Sequence, residues 1–270
     1  MKWVLGAVLG AILITFGILV GRPGVDTACV VQTGYDRLRR INADWSCLHY
    51  GAARGDESTV TDLLNLGRPL EQTTAAGQTP LWIAADRGQL ATVKQLIARG
   101  AKLNSADRHG QTPIYRAAAR NHPAVVRALI AAGANVSRPD KTGRTPLWAN
   151  AARSSLANTE IAHSLVRAGA AIDTRDNDGD SALLAAARVG HASISAYLLS
   201  QGARFDRRNR AGVTALFLAV AHGHAEVVRE LLAAGADPNA PVAAISPLRQ
   251  AHKDHRAEIV RLLSANGARR

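Results

Sequence analysis

Acidic residues cluster between positions 173 and 180, where their spacing could bind a calcium ion. If Asp176 and Asp178 take the third and fifth positions of a calcium loop, Thr174 takes the first position and Ala185 the last. The bidentate Glu that closes such a loop is therefore missing. Because Asp and Gly also favour tight turns, we interpret this segment as a turn rather than as a metal site.

The histidines and the known catalytic motifs give no stronger indication of a metal site or an active site. His222 and His224 are two residues apart, and His252 and His255 are three residues apart. The sequence lacks a Walker loop and the motifs G-x-G-x-x-G, H-E-x-x-H and G-x-S-x-G. The sequence therefore predicts a protein that is not an enzyme and that binds no metal and no cofactor.

A short phrase that begins with Ser or Thr returns about every 33 residues. Its first residues are Ser46, Thr79, Thr112, Thr145, Ser181, Thr214 and Ser246, with gaps of 33, 33, 33, 36, 33 and 32 residues. A fixed period in this range is typical of a stacked array of repeats. The fourth repeat carries three extra residues around Ser154 to Thr159, which we expect in the loop between its two helices.

Residues 77 to 109 show what one repeat encodes. Thr79 followed by Pro80 is the order that favours a helix start, and the helix should stop at Gly88. A second helix is predicted over 90 to 98, with apolar residues on one face. Because one such unit cannot bury its own apolar face, its stability must come from stacking on its neighbours.

These phrases resemble the ankyrin repeat, whose pattern is G-x-T-P-L-H-x-A-A, then x-x-G-H, an apolar helix and G-A-D-x-N. Gly223-His224 and Gly235-Ala236-Asp237-Pro238-Asn239 carry the resemblance most fully. It covers residues 44–270 and implies an all-α solenoid of about seven stacked helix-turn-helix repeats with projecting β-turn fingers. It also implies a function in protein–protein recognition. The repeats lie near 44–76, 77–109, 110–142, 143–178, 179–211, 212–243 and 244–270.

The resemblance also assigns roles to positions that recur. The histidine of the family phrase survives only at His49, and we expect the aromatic replacements to pack between repeats. Those replacements are Trp82, Tyr115, Trp148, Leu184, Phe217 and Arg249. The family position between the two helices is assigned to His122, His191, His224 and His255, which explains these histidines without zinc.

The first 21 residues predict a transmembrane signal anchor. The uncharged run from Trp3 to Val20 would span about 27 Å as a helix, close to a hydrocarbon core of about 30 Å. Asp26 spoils the candidate cleavage site, although a removed signal peptide stays the alternative. Four glycines form one stripe and predict helix packing, as in a homodimer, although glycine is common in membrane helices in general. They are Gly6, Gly10, Gly17 and Gly21.

The orientation of this anchor depends on the connector, residues 22–43. Lys2 favours export of the repeats, whereas Arg22, Arg37, Arg39 and Arg40 favour the opposite orientation. The only two cysteines, Cys29 and Cys47, predict a disulfide in an exported protein, with two unrelated thiols as the alternative. We expect a single-pass membrane protein with periplasmic or other extracytoplasmic repeats. The excess of arginine over lysine and the many alanines suggest a bacterial origin.

The formal net charge of +12 points to an acidic partner surface, an anionic membrane or nucleic acid. In the resembled family, the end of the first helix and the fingers line a concave groove. The predicted binding groove consists of the basic residues at these positions, and the alternative is a merely solvated face. First-helix ends contribute Arg54, Arg87, Arg120, Arg153 and Arg188, and the fingers contribute Arg108, His109, Lys141, Arg144 and Arg210.

The predicted function is a membrane-tethered scaffold that binds an unidentified protein with an acidic surface. One alternative is a module that binds polyanions, either lipid headgroups or nucleic acid. Aromatic residues make up only 4% of the chain and do not alternate with the arginines, which disfavours nucleic acid. Another alternative is an envelope immunity or inhibitor protein that blocks a toxin or a lytic enzyme.

Overall fold

The computed structural model describes residues 45–153 and 159–269. The predicted anchor (1–21) with its four glycines and the connector (22–43) with Cys29 lie outside these residues, as does most of the insertion in the fourth repeat. None of the described helices is both long and apolar enough to cross a membrane.

Seven pairs of helices make up the regular structure of the described residues. In each pair the first helix has six to eight residues and the second has nine. The predicted second helix at 90 to 98 is confirmed as α4. The helices are α1 Cys47–Arg54, α2 Glu57–Asn65, α3 Pro80–Arg87, α4 Leu90–Ala98, α5 Pro113–Ala119, α6 Pro123–Ala131, α7 Pro146–Ala151, α8 Thr159–Arg167, α9 Ala182–Val189, α10 Ala192–Ser200, α11 Ala215–His222, α12 Ala225–Ala233, α13 Pro247–Lys253 and α14 Ala257–Ala265.

The recurring Ser or Thr starts the first helix of each pair. In α3, Thr79 Oγ1 accepts a hydrogen bond from the Trp82 N–H at 3.2 Å, and Pro80 occupies the first helical position. Losing such a cap costs a helix about 1 kcal/mol. The same cap is formed by Thr112, Thr145, Ser181, Thr214 and Ser246.

The first pair replaces the helix-starting proline with Cys47, which is buried and disulfide-bonded. The predicted partner, Cys29, lies outside the described residues, so the pairing itself stays a prediction. His49 Nδ1 accepts from the Ser46 N–H at 3.0 Å, and its Nε2 donates to the Gln72 carbonyl at 2.9 Å. The one histidine retained from the family phrase thus ties its helix to the chain that follows.

The described residues group into two compact units, one ending at Arg108 and the other starting at His109. Within the second unit, the first helices α5, α7, α9, α11 and α13 pack in sequence, and so do the second helices α6, α8, α10, α12 and α14. Fully buried aliphatic side chains fill the space between these two layers. Among them are Ile114, Leu129, Leu147, Ile161, Leu165 and Leu183.

A side chain at the start of a second helix links its repeat to the one before. Gln89 Nε2 donates to the Ala53 carbonyl at 3.3 Å, and His224 Nε2 donates to the Arg188 carbonyl at 3.1 Å. In the last repeat this link comes from Arg256, which donates to the Ala221 carbonyl at 2.8 Å.

The assignment of His255 to this linking position is therefore wrong. His255 lies one residue earlier, where the chain is left-handed (φ 56°), and Gly223 occupies the equivalent place in the preceding repeat (φ 83°). His191 does take the linking position, but its buried Nε2 has no hydrogen-bond partner among the described residues.

The fingers join one another through single backbone hydrogen bonds. In the second unit Lys141 N donates to the His109 carbonyl (2.9 Å), Asn177 N to Thr142 (2.8 Å) and Arg210 N to Asp178 (2.9 Å). In the first unit, Arg108 N donates to the Ala76 carbonyl at 2.8 Å. We call this series of bonds the finger ladder.

A buried Asp or its equivalent shapes each of these turns. Asp176 Oδ1 accepts from the N–H groups of Asp178 and Asp180, both at 2.9 Å, and Asp140 and Asn209 make the matching pairs of bonds in their own fingers. The interpretation of the acidic segment as a turn is thus confirmed, because its central carboxylate is saturated by backbone donors.

Glycine at the finger turn should be required most where the next finger is close. Gly143 and Gly212 both have positive φ (82° and 76°), but a Cβ on Gly143 would lie 3.0 Å from Asn177 N, whereas none lies within 4 Å at Gly212. Gly212→Ala should lower the free energy of unfolding by about 1 kcal/mol, through backbone strain alone. Gly143→Ala should cost at least about 1 kcal/mol more, because the ladder must also shift.

Urea denaturation of the full chain in mild detergent measures both values. Equal losses for the two variants would show that close contact between fingers does not limit stability.

The half-buried imidazole of His191 should make the protein less stable in mild acid. Burial lowers the pKa of His191 below its ordinary value, and the charge of His224 lowers it further. The unfolded chain then binds more protons below its own histidine pKa of about 6.5, so the free energy of unfolding falls as pH drops through that value. His191→Asn should reduce this fall between pH 7.5 and 5.5, measured by urea denaturation.

The exposed His252 provides the matched control for this substitution. His252→Asn should leave the pH dependence of the unfolding free energy close to that of the parent chain. The same pH dependence in both variants would contradict the role given to burial at position 191.

Candidate functional site on the finger face

The second unit presents finger residues beside the ends of the first helices, and we call this surface the finger face. Its fingers carry Lys141, Arg144, Asp178 and Arg210, and its first-helix ends carry Arg120, Arg153 and Arg188. Each finger is fixed to its neighbour by the finger ladder, so these residues recur at regular positions. The ladder brings the fingers together with His109, and the grouping of all these residues into one binding groove stays a prediction.

Lys141 and Arg210 are two exposed cations of the fingers. Their backbone N–H groups form the finger ladder, but their side chains make no ion pair with the described residues. The backbone of each residue is therefore held at a defined position, and the side-chain charge remains available to a partner.

Arg144 is already engaged within the protein. Its Nε donates to Asp176 Oδ2 at 3.3 Å, and a second nitrogen lies 3.9 Å from Asp178 Oδ2. The guanidinium carbon also lies 4.2 Å from the ring centroid of Trp148, within the range of a cation–π contact. These contacts fix Arg144 and neutralise much of its charge.

Arg188 and Arg153 also act within the protein. Arg188 forms an ion pair with Asp180, whose side chain is only 1% exposed and also accepts from Asn209 Nδ2 at 2.9 Å. Arg153 donates to the Ala119 carbonyl of the preceding repeat. The sequence analysis assigns both residues to a binding groove. The structure gives these two side chains partners within the protein.

The remaining predicted cations end first helices or lie in a finger. Arg120 caps α5 at its carboxyl end and is exposed. In the first unit, Arg54 and Arg87 are the last residues of α1 and α3, and Arg108 follows in the finger; all three are exposed. Each unit thus carries its own set of exposed cations.

One exposed carboxylate interrupts the basic finger face. The side chain of Asp178 is 77% exposed, while Asp176 and Asp180 beside it are buried. In the second unit the acidic finger therefore lies between the finger of Lys141 and the finger of Arg210. Among the residues that the structure describes, no group of His, Cys, Asp and Glu is arranged to hold a metal ion.

Tyr115 forms a contact that sequence reasoning missed. Its hydroxyl donates to the Asp140 carboxylate, which joins a first helix to the next finger. Burial raises the pKa of Tyr115 well above its ordinary value, and the charge of Asp140 and this hydrogen bond raise it further. The expectation that the aromatic side chains pack inside holds fully for Trp82 and Tyr115, each 5% exposed, and partly for Trp148 and Phe217, which are half-buried.

Comparison with known families gives a direct match. The family profile described as ankyrin repeats (3 copies) matches residues 48–140, 93–176 and 148–242. A comparison with curated protein sequences finds no significant match.

Solved structures show the same architecture. The crystal structure of the ankyrin repeat domain of Bcl-3, a member of the IkappaB protein family, has 28% sequence identity and a TM-score of 0.69. The match covers 82% of this chain and 98% of that domain. The human ASB11 ankyrin repeat domain has 24% identity and a TM-score of 0.75, with 84% of this chain and 100% of that domain covered, and it supports the fold alone.

Proposed function

Because the chain belongs to the ankyrin repeat family, whose repeats are generally protein–protein interaction modules, we propose that it binds a protein partner through the finger face. The partner would present an acidic surface, and the chain would act as a membrane-tethered scaffold rather than as an enzyme. The observation that carries this proposal is the pair of exposed cations, Lys141 and Arg210, at fixed positions on the finger ladder.

The exposed Asp178 between these cations makes the surface selective. A partner must place carboxylates near Lys141 and Arg210 but a neutral or basic group opposite Asp178. Matching both signs of charge favours the right partner and penalises a uniformly acidic one. The same carboxylate repels phosphates, so this arrangement favours a folded protein over a polyanion.

Membrane tethering outside the cytoplasm is the second part of the proposal. It rests on the apolar run in residues 1–21 and on the disulfide-bonded state of Cys47, since disulfides persist in oxidising compartments. Cys29 is the only other cysteine in the chain and would be the partner. A homodimer through the glycine stripe, and a role as an envelope immunity or inhibitor protein, would both be compatible with this arrangement.

Reversing the exposed finger charges should abolish partner capture. The full chain, immobilised in mild detergent, is exposed to an extract of its own cells, and a retained partner is identified by mass spectrometry. Lys141→Glu with Arg210→Glu should reduce the captured partner at least about tenfold, because attraction becomes repulsion on a surface tuned by charge.

Arg261 provides the control because it is exposed on α14, a second helix. Arg261→Glu changes net charge by the same amount per site and should leave capture unchanged. Equal capture by all variants would exclude the finger face as the binding surface. Loss in all variants together with a steep fall in binding with salt would instead identify a polyanion ligand.

The compartment of the repeats can be tested through the cysteines. A membrane fraction treated with an alkylating reagent and digested without reduction should yield a peptide pair joined by Cys29 and Cys47. Two separately alkylated peptides would contradict the proposed pairing. They would also favour a cytoplasmic location of the repeats, with the arginines of the connector on the same side.

A further inference from the structure

The finger of the seventh repeat is built differently from the earlier ones. Val242 and Ile245 exchange backbone hydrogen bonds of 3.0 and 2.9 Å around a two-residue turn, Ala243-Ala244. Both alanines are left-handed, with φ values of 47° and 65°, whereas the preceding finger turns at Gly212. Because an alanine side chain clashes with the backbone in this conformation, the turn keeps a strain that glycine would relieve.

The first helix of the same repeat also departs from the pattern. In the earlier repeats the third residue after the helix cap is buried, as in Trp82, Tyr115 and Leu184, or half-buried, as in Trp148 and Phe217. Here it is Arg249, which is exposed. An open cavity of about 570 Å³ lies between this helix and the altered finger. Its lining is Pro241, Ala244, Ser246, Leu248, Arg249 and His252.

The rim of this cavity carries two exposed cations, Arg249 and the adjacent Lys253, whose side chains form no ion pair with the described residues. The exposed imidazole of His252 lies beside them. The carboxylate next in sequence, Asp254, is occupied elsewhere: it accepts from Gln250 Nε2 at 2.7 Å and lies 3.7 Å from Arg256 Nε. The rim charges are therefore available to an anionic group.

The floor of the cavity is apolar. Pro241, Ala244 and the buried Leu248 offer no charged group, so they favour an apolar side chain. The cavity volume falls within the range of about 300–1,000 Å³ that is common for binding pockets. Arg249 at the rim can hold a carboxylate with two parallel hydrogen bonds. An apolar floor beside a cationic rim matches a peptide in which an apolar residue adjoins an acidic one.

We propose that this cavity anchors an acidic segment of the protein partner, with an apolar side chain on Leu248 and a neighbouring Asp or Glu on Arg249. The proposal rests on the proposed protein-binding function and adds a specific anchor in the seventh repeat. A bare phosphate lacks the apolar group that the floor accommodates, and the fork of Arg249 matches the planar carboxylate of an acidic side chain, which is why we assign the cavity to a peptide.

A random hexapeptide phage library tests the specificity of the cavity without knowledge of the partner. The library is selected on the full chain in mild detergent, after depletion on the Arg249→Glu variant. Recovered peptides should contain Asp or Glu next to an apolar residue. Peptides that lack this pair, or that bind the depleting variant equally well, would overturn the proposal.

Fluorescence anisotropy with one recovered peptide then separates charge from shape. Arg249→Glu and the cavity-filling Ala244→Phe should each weaken binding at least about tenfold, whereas Arg261→Glu should not change it. Full binding by the Ala244→Phe variant would show that the cavity is not used. Self-association of the chain that Arg249→Glu abolishes would make a second copy the occupant and would also overturn the proposal.

The capture experiment distinguishes an error in the proposed anchor from an error in the proposed finger-face function. If Arg249→Glu leaves partner capture intact while Lys141→Glu with Arg210→Glu abolishes it, the protein-binding function stands and the anchor is wrong. If the finger variants capture the partner normally but Arg249→Glu does not, the anchor stands and the finger face is wrong.

Discussion

The structure depends on the contact between successive repeats, because a single pair of short helices cannot bury its own apolar face. Within the second unit, the helices of one repeat pack on those of the next, and the fingers of Lys141, Asn177 and Arg210 each donate one backbone hydrogen bond to the finger before them. Asp140, Asp176 and Asn209 each accept two backbone N–H groups and hold these turns in the shape that the bond requires. The sequence repeats with a period near 33 residues because every repeat must present the same surfaces to its neighbours.

The same contacts decide which charges are left for recognition. Arg144 and Arg188 form ion pairs with the acidic finger, because the buried carboxylates of Asp176 and Asp180 need a compensating positive charge. Lys141 and Arg210 lie on the fingers on either side of this acidic finger and have no such partners among the described residues. A high net charge is therefore a poor guide to a binding surface by itself. The informative quantity is the charge that remains after the stack has satisfied its own buried groups.

Local sequence patterns predicted the fold well because helix starts and stops are local. Thr79 with Pro80 marked the start of α3, and the second helix at 90–98 has the predicted bounds. The pairing of Arg188 with Asp180 and the link from Arg256, rather than His255, depend on side-chain geometry and on turns whose left-handed residue is not always glycine. The cavity in the seventh repeat escaped prediction because it arises from missing contacts, which a repeating phrase does not encode.

The central claim is that a protein partner binds the finger side of the second unit, and amine-reactive cross-linking of the captured complex tests it most directly. The chain has only five lysines, and three of them report on different places: Lys141 lies on a finger and Lys253 at the end of α13, whereas Lys94 lies on the second helix α4. The account predicts cross-links from the partner to Lys141 and Lys253 and none to Lys94. Cross-links confined to Lys94 would place the partner on the second helices and contradict the account.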